Sequence, residues 1–125
     1  MPNGVLTYKR GEIWWVDLQP VIGRETDKQR PCLILQNDIG NQNSSTTIIV
    51  PFLRGRKNYP FVVNVIPTSQ NRLDQDRHLN LSQMRSVDAQ RLKKKQGTLE
   101  SAYWKAIEKA VCIELGFSSE FNSGK

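Results

Sequence analysis

The chain has 125 residues, 38% of them hydrophobic and 24% charged, which allows one domain of a soluble globular protein and is too apolar for a disordered one. No apolar run approaches the roughly 20 residues needed to cross a bilayer, and the start, MPNGVLTYKRGE, has no signal-peptide core, so a cytoplasmic protein with no membrane partner is expected. Eighteen Lys and Arg against twelve Asp and Glu leave a net charge of +6, which points to a polyanionic or acidic protein partner, a plain solubility charge being the alternative.

In chain order, residues 1–10 read as a loose lead-in, 11–116 as a single domain and 117–125 as a tail. The β-branched and aromatic run Glu12–Leu18, between Gly11 and Pro20, predicts the first strand. Its neighbours Trp14 and Trp15 must point to opposite faces, one of them into the core. VIGRETDKQRP has no apolar period and reads as an exposed loop, whereas Cys32–Gln36 is a continuous apolar run of the kind a buried strand shows. NDIGNQNSS is dense in turn formers and predicts a second loop. Thr46–Leu53 predicts a strand in which Pro51 marks an edge, an end or a bulge. RGRKNYP is a basic loop, and Phe61–Ile66 is the next strand, closed by Pro67. His78–Met84 alternates, with Leu79, Leu81 and Gln83 on one face and His78, Asn80 and Ser82 on the other. SVDAQRLKKKQG accommodates a short helical turn and another strand, with Lys93–Lys95 as a solvated turn.

The period then changes. Leu99, Ala102, Tyr103, Ala106, Ile107, Ala110, Val111 and Leu115 form one helical stripe, with Thr98 as N-cap, Glu100 in the first turn and Gly116 as C-cap. Five or six short strands followed by one helix give a mainly β protein of the α+β class, a small barrel.

No glycine pattern for nucleotides, HExxH, CxxC or serine elbow is present, and His78 is the lone histidine. Cys32 and Cys112 lie in apolar segments at no metal-ligand spacing and read as reduced core residues, so no cofactor and no metal are expected. What remains is a basic β-domain with arginines in its loops: Arg24, Arg30, Arg54, Arg56, Arg72, Arg77, Arg85 and Arg91. Arginine binds phosphate bidentately, stays charged, and can stabilise a phosphorane-like transition state without a metal. That suits cleavage of RNA by its own 2′-hydroxyl and equally suits passive nucleic-acid binding. Arg30 is the sharpest candidate, because it ends a polar loop just before Pro31 and a buried strand; the alternative is a surface ion pair with Glu25 or Asp27.

The succession RGEIWWVDLQPVIGRE, RPCLILQNDIGN, TTIIVPFL, YPFVVNV and LNLSQMRSVDAQRL resembles the MazF/PemK family of toxin endoribonucleases over residues 9–115, and the Gly23, Glu25, Arg30, Pro31 element is its most diagnostic part. The resemblance implies an SH3-like or CcdB-like barrel that forms a two-fold dimer. It further implies metal-free cutting of single-stranded RNA to 2′,3′-cyclic phosphate and 5′-hydroxyl ends, inhibition by a cognate antitoxin, and operator DNA as a partner of the toxin–antitoxin complex. By position, Arg30 matches the catalytic arginine, Glu25 a loop acid, Asn37 and Asn41 a loop expected to contact RNA, and Gln83 a glutamine near the dimer.

The chain departs from the family at Leu53, where VPFLRG carries no Thr or Ser, and at Asn80 and Ser82, where another branch has Arg-x-Asp. Three alternatives follow for the partner of Arg30. Arg54 or Arg56 reaches the phosphate; Ser82 or Thr47 supplies the hydroxyl; or the chain is a weak or inactive enzyme that serves as a nucleic-acid- or antitoxin-binding module.

Overall fold

The computed structural model describes residues 7–18 and 29–118. Seven antiparallel strands, β1 (Glu12–Asp17), β2 (Gln29–Ile34), β3 (Thr46–Arg54), β4 (Val62–Val65), β5 (Arg77–Asn80), β6 (Arg85–Asp88) and β7 (Leu92–Thr98), are joined by a short helix, α1 (Asp38–Asn43), and followed by α2 (Trp104–Leu115). The mainly β sheet with a C-terminal helix is the fold class the sequence predicts. Among the described residues no helix is long and apolar enough to span a membrane.

The strands pair in the order β4-β5-β3-β2-β1-β7, with β6 also on β3. The nine-residue β3 organises the sheet. Its Thr46–Ile49 half pairs with β6, its Phe52–Arg54 end pairs with β5, and Ile49–Pro51 holds β2 on the other side. Pro51 therefore sits where β3 exchanges β6 for β5, a point at which a residue without an N–H is tolerated.

Both faces of the sheet are covered, which explains the continuous apolar runs in β1, β2 and β3. Ile13, Leu33, Val50, Phe52, Leu79 and Ile107 form one core beneath α2. Trp14, Val16, Cys32, Ile34, Ile49 and Val87 form a second core on the opposite face. Alternation sends the adjacent Ile13 and Trp14, or Cys32 and Leu33, to different cores. Trp14 is thus the inward tryptophan and Trp15 is half-buried. Tyr8 is buried in the second core, so the domain's packing begins before residue 11.

Several local expectations are corrected. Arg30 lies inside β2, paired with Val16, because the strand starts at Gln29 rather than Cys32. The expected loop after β2 contains α1: the Asn37 side chain accepts from Gly40 N at 2.8 Å and caps it. β5 stops at Asn80, whose carboxamide oxygen accepts from Ser82 N at 3.0 Å and turns the chain into a 3₁₀ turn over Leu81–Gln83. Lys93–Lys95 are exposed residues of β7, at one end of the pairing path, rather than a turn. Thr98 ends β7 and does not cap α2, which is entered through a 3₁₀ turn at Ser101–Tyr103. Gly116 does end α2, with φ of 76° and its N–H on the carbonyls of Cys112 and Ile113. His78 is 3% exposed rather than on a solvated face.

Candidate active site

Arg30 is half-buried at the end of the β2–β3 ladder. The β2–β3 ladder pairs Cys32 with Pro51, and continuing its register by two residues along β2 sets Arg30 opposite Leu53. Leu53 in turn pairs with His78, and His78 with Asn64. Directly paired residues share a face, so Arg30, Leu53, His78 and Asn64 form one row across β2, β3, β5 and β4. The position opposite Arg30 holds a half-buried hydrocarbon that neither donates nor accepts a hydrogen bond.

Polar support comes instead from the main chain. Arg30 Nη1 donates to the Phe52 carbonyl at 3.5 Å. The same oxygen accepts from Nη1 of Arg77 at 3.2 Å. Arg77 pairs with Arg54 and Val65, one step along from the Arg30 row, so strand alternation places it on the other face. Two guanidinium groups thus approach one carbonyl from the two sides of the sheet, and the oxygen's two lone pairs accommodate both.

Arg77 is 5% exposed, and a buried cation needs a counter-charge. Asp74 supplies it through a two-pronged contact, Nε to Oδ1 at 2.9 Å and Nη2 to Oδ2 at 3.3 Å. The Arg77 guanidinium, hydrogen-bonded to Asp74, pulls that carboxyl down to about 2. Two residues beyond Arg30 and on its face, Cys32 is fully buried, and burial pushes its thiol up to about 12 against the opposing pull of Arg30 and Arg85. It is a neutral core group rather than a nucleophile.

The row continues into the basic loop between β3 and β4. His78 Nδ1 lies 2.9 Å from the Gly55 carbonyl, which can only accept, so the ring donates there. Asn64 accepts from Lys57 N at 3.1 Å and donates to Lys57 O at 2.9 Å. Gly55 N donates to Asp76 O at 2.9 Å. Gly55 takes φ of 81°, which suits glycine at that turn. The lone histidine is a buried anchor for a loop carrying Arg56, Lys57 and Tyr59.

The remaining expected site residues are dispersed. Arg54 follows Leu53 and leaves on the opposite face from Arg30, exposed, while Arg56 is exposed in the pinned loop. Thr47 is buried at the far end of β3 and donates its hydroxyl to Asn41 Oδ1 at 2.7 Å. Asn41 is itself buried, and its amide nitrogen donates to Gln36 O and Asp38 Oδ1, both at 3.1 Å. Thr47 and Asn41 therefore tie α1 to β3, and the structure does not bring Thr47 to Arg30. Asn37 is engaged as the α1 cap. Ser82 is exposed and donates its hydroxyl to Asn80 Oδ1 at 2.5 Å; Gln83 is exposed in the same turn. Glu25 lies outside the described residues.

The sequence reading placed Arg77 among the loop arginines, whereas it is buried in β5, and it missed Asp74 as its partner. The i,i+3 spacing of an acid and an arginine in DQDR was the available signal, but an exposed ion pair looks the same in sequence. It also missed Asn71, fully buried, whose side chain links Thr68 N, Leu73 N, the Ile66 carbonyl and Glu100. Among the described residues no three His, Cys, Asp or Glu side chains gather as a metal site.

A cleft of about 1120 Å³ opens on the other side, between α2 and the end of β2, lined by Leu35, Ile48, Met84, Val111 and Leu115 with Arg10, Asp38, Lys105 and Glu108 among the charged residues. Arg10 lies over the Trp104 ring, 4.5 Å from its centroid, and its N–H donates to Asp38 at 2.8 Å.

Residues 9–115 match the family described as PemK-like, MazF-like toxin of type II toxin-antitoxin system. The chain is 38% identical over 110 residues to Endoribonuclease MazF of Staphylococcus saprophyticus, covering 86% of this chain and 91% of that protein. In structure it resembles an endoribonuclease in complex with its cognate antitoxin from a mycobacterial species, with a TM-score of 0.74 at 20% identity over 90% of this chain and 98% of that one. It also resembles MazF from Deinococcus radiodurans, with a TM-score of 0.73 at 21% identity over 90% and 99% of the two chains.

Proposed function

The chain belongs to the PemK-like, MazF-like toxin family of type II toxin-antitoxin systems, and from that premise we propose that it is a metal-independent endoribonuclease acting on single-stranded RNA. The RNA 2′-oxygen attacks the adjacent phosphorus and loses its proton, the bond from phosphorus to the 5′-oxygen breaks, and the departing oxygen takes up a proton. The ends are a 2′,3′-cyclic phosphate and a 5′-hydroxyl.

The observation that carries this reading is the placement of Arg30. Its half-buried guanidinium lies beside the Phe52 carbonyl, at the end of a ladder and in one row with the anchors of a basic loop. A preorganised cation of that kind stabilises the charge that develops on the pentacoordinate phosphorus. Arg56 and Lys57 attract the backbone by charge, and Ser82, Gln83 and the Glu25 loop are further candidate contacts.

Leu53 supports a second reading, a binding module with weak or no chemistry, because no hydroxyl stands opposite Arg30. Loss of one transition-state donor costs about 2.7–4 kcal/mol where it has been measured, which slows a reaction without abolishing it. The first reading is therefore preferred.

The partners proposed with it are an antitoxin, operator DNA in the toxin–antitoxin complex, and a second copy of the chain. The apolar cleft beside α2, with Leu115 in its lining 53% exposed, is the face assigned to that second copy.

The test is incubation of the protein with a long RNA in EDTA and mapping of new ends. Discrete cuts with 5′-hydroxyl ends that vanish in Arg30→Ala support the ribonuclease. Intact RNA with a salt-dependent gel shift supports the binding module.

A further inference from the structure

Arg77 is a charge on the face of the sheet turned away from Arg30. It lies in β5 and is 5% exposed, so it does not itself meet a substrate bound at Arg30. Burying a cation is costly, and an ion pair inside a protein is seldom more stable than apolar side chains of the same volume. Its partner Asp74 is 62% exposed, so one member of the pair remains largely in water. Stability alone is a poor reason for an arginine at this position.

The guanidinium reaches main chain. Nη1 donates to the Phe52 carbonyl at 3.2 Å while Nε and Nη2 stay on Asp74, so the planar fork is engaged at three points. Phe52 follows Pro51, which closes the pairing of β3 with β2. The same carbonyl lies 3.5 Å from Arg30 Nη1. A contact of that length is at the outer limit of a hydrogen bond, so a small rotation of the Phe52 carbonyl decides whether it is made. Asp74 offsets the charge of Arg77, which lets two guanidinium groups share one oxygen.

We infer that Arg77, held by Asp74, is a positioning residue for Arg30: it sets the Phe52 carbonyl from the buried face, and through it the direction of the guanidinium that meets the phosphate. The inference rests on the ribonuclease reading and deepens it. Leu53, opposite Arg30, offers no hydrogen bond, and a main-chain carbonyl braced from behind takes that part.

The experiment reads rate and affinity separately in the parent chain, Arg77→Met and Arg77→Lys. Single-turnover cutting of a long RNA is timed in EDTA, binding of an uncleavable 2′-O-methyl RNA dodecamer is measured by fluorescence anisotropy, and urea melts report the fold. Methionine fills the buried space without a charge; lysine keeps the charge but lacks the fork that serves Asp74 and Phe52 together. Both changes are expected to slow cutting by roughly 5- to 20-fold and to leave affinity within about 2-fold of the parent, because a misdirected cation still attracts phosphate but no longer meets the developing charge. Cutting at the parent rate, affinity lost in proportion to rate, or failure of both variants to fold overturns the positioning role, while the ribonuclease stands if the parent cuts RNA. A parent chain that does not cut RNA overturns the ribonuclease reading and this inference with it.

Discussion

Arg30 and Arg77 donate to the same acceptor, the carbonyl oxygen of Phe52, at 3.5 and 3.2 Å from opposite faces of the sheet. Only the first faces the proposed substrate; the second is buried and answers to Asp74. The reactive-face arginine is thus positioned through backbone that a second, neutralised arginine holds from behind.

That relationship predicts a separation between binding and turnover. Asp74→Asn leaves Arg77 without its counter-charge, so the Phe52 carbonyl and Arg30 lose their fixed geometry. Single-turnover cutting should slow several-fold, on the order of 1 kcal/mol in the barrier, with RNA affinity nearly unchanged. Affinity and rate falling together in proportion would argue against a positioning role.

The same variant carries a pH signature. The Asp74 carboxyl is held at about 2, below its ordinary value of 3.8, so its contribution to stability is present above pH 4 and disappears as pH falls toward 2. Urea melts should show the parent more stable than Asp74→Asn at pH 6 and the two converging as pH falls through about 2. The gap should be modest, since the Asp74 side chain is 62% exposed.

Restoring a hydroxyl opposite Arg30 tests whether Leu53 limits the rate. Leu53→Thr should raise the cleavage rate by about 10-fold or more if the added hydroxyl reaches the phosphate, one donor being worth about 100- to 1000-fold in other enzymes. An unchanged rate in a folded Leu53→Thr protein would mean that the hydroxyl is not the missing element.

Gly97 in β7 is fixed by close approach rather than by backbone angle. A Cβ there would stand 2.5 Å from the Gln70 carbonyl oxygen and 2.8 Å from that of Asn71, both main-chain atoms that cannot swing aside. Gly97→Ala should destabilise the fold by about 1–3 kcal/mol, read as a lower urea midpoint. A neutral result would mean that the 66–71 turn moves freely against β7.

Leu115 is 53% exposed on the cleft assigned to the second copy, so a charge there disturbs association more than folding. Light scattering should give a dimer for the parent and a monomer for Leu115→Asp, with unchanged circular dichroism. A monomeric parent, or a dimer that survives the change, would remove that cleft as the dimer face.

What the sequence determined by itself is what local pattern encodes. The strands and the terminal helix were legible because apolar and β-branched runs are bounded by Gly and Pro, and because the stripe ending at Gly116 has a helical period. Arg30 was legible as a candidate because it adjoins Pro31 and a buried run. The tertiary structure decided everything that depends on register. Only the pairing of β2, β3, β5 and β4 sets Arg30 opposite Leu53 and in line with His78 and Asn64. The turn formers after β2 could not announce α1, since its cap at Asn37 and the Asn41–Thr47 bond join residues that no periodicity relates. Likewise Arg77 and His78 read as solvated, because a buried cation with its carboxylate and a buried imidazole with its carbonyl are recognised only once distant strands have brought the partners together.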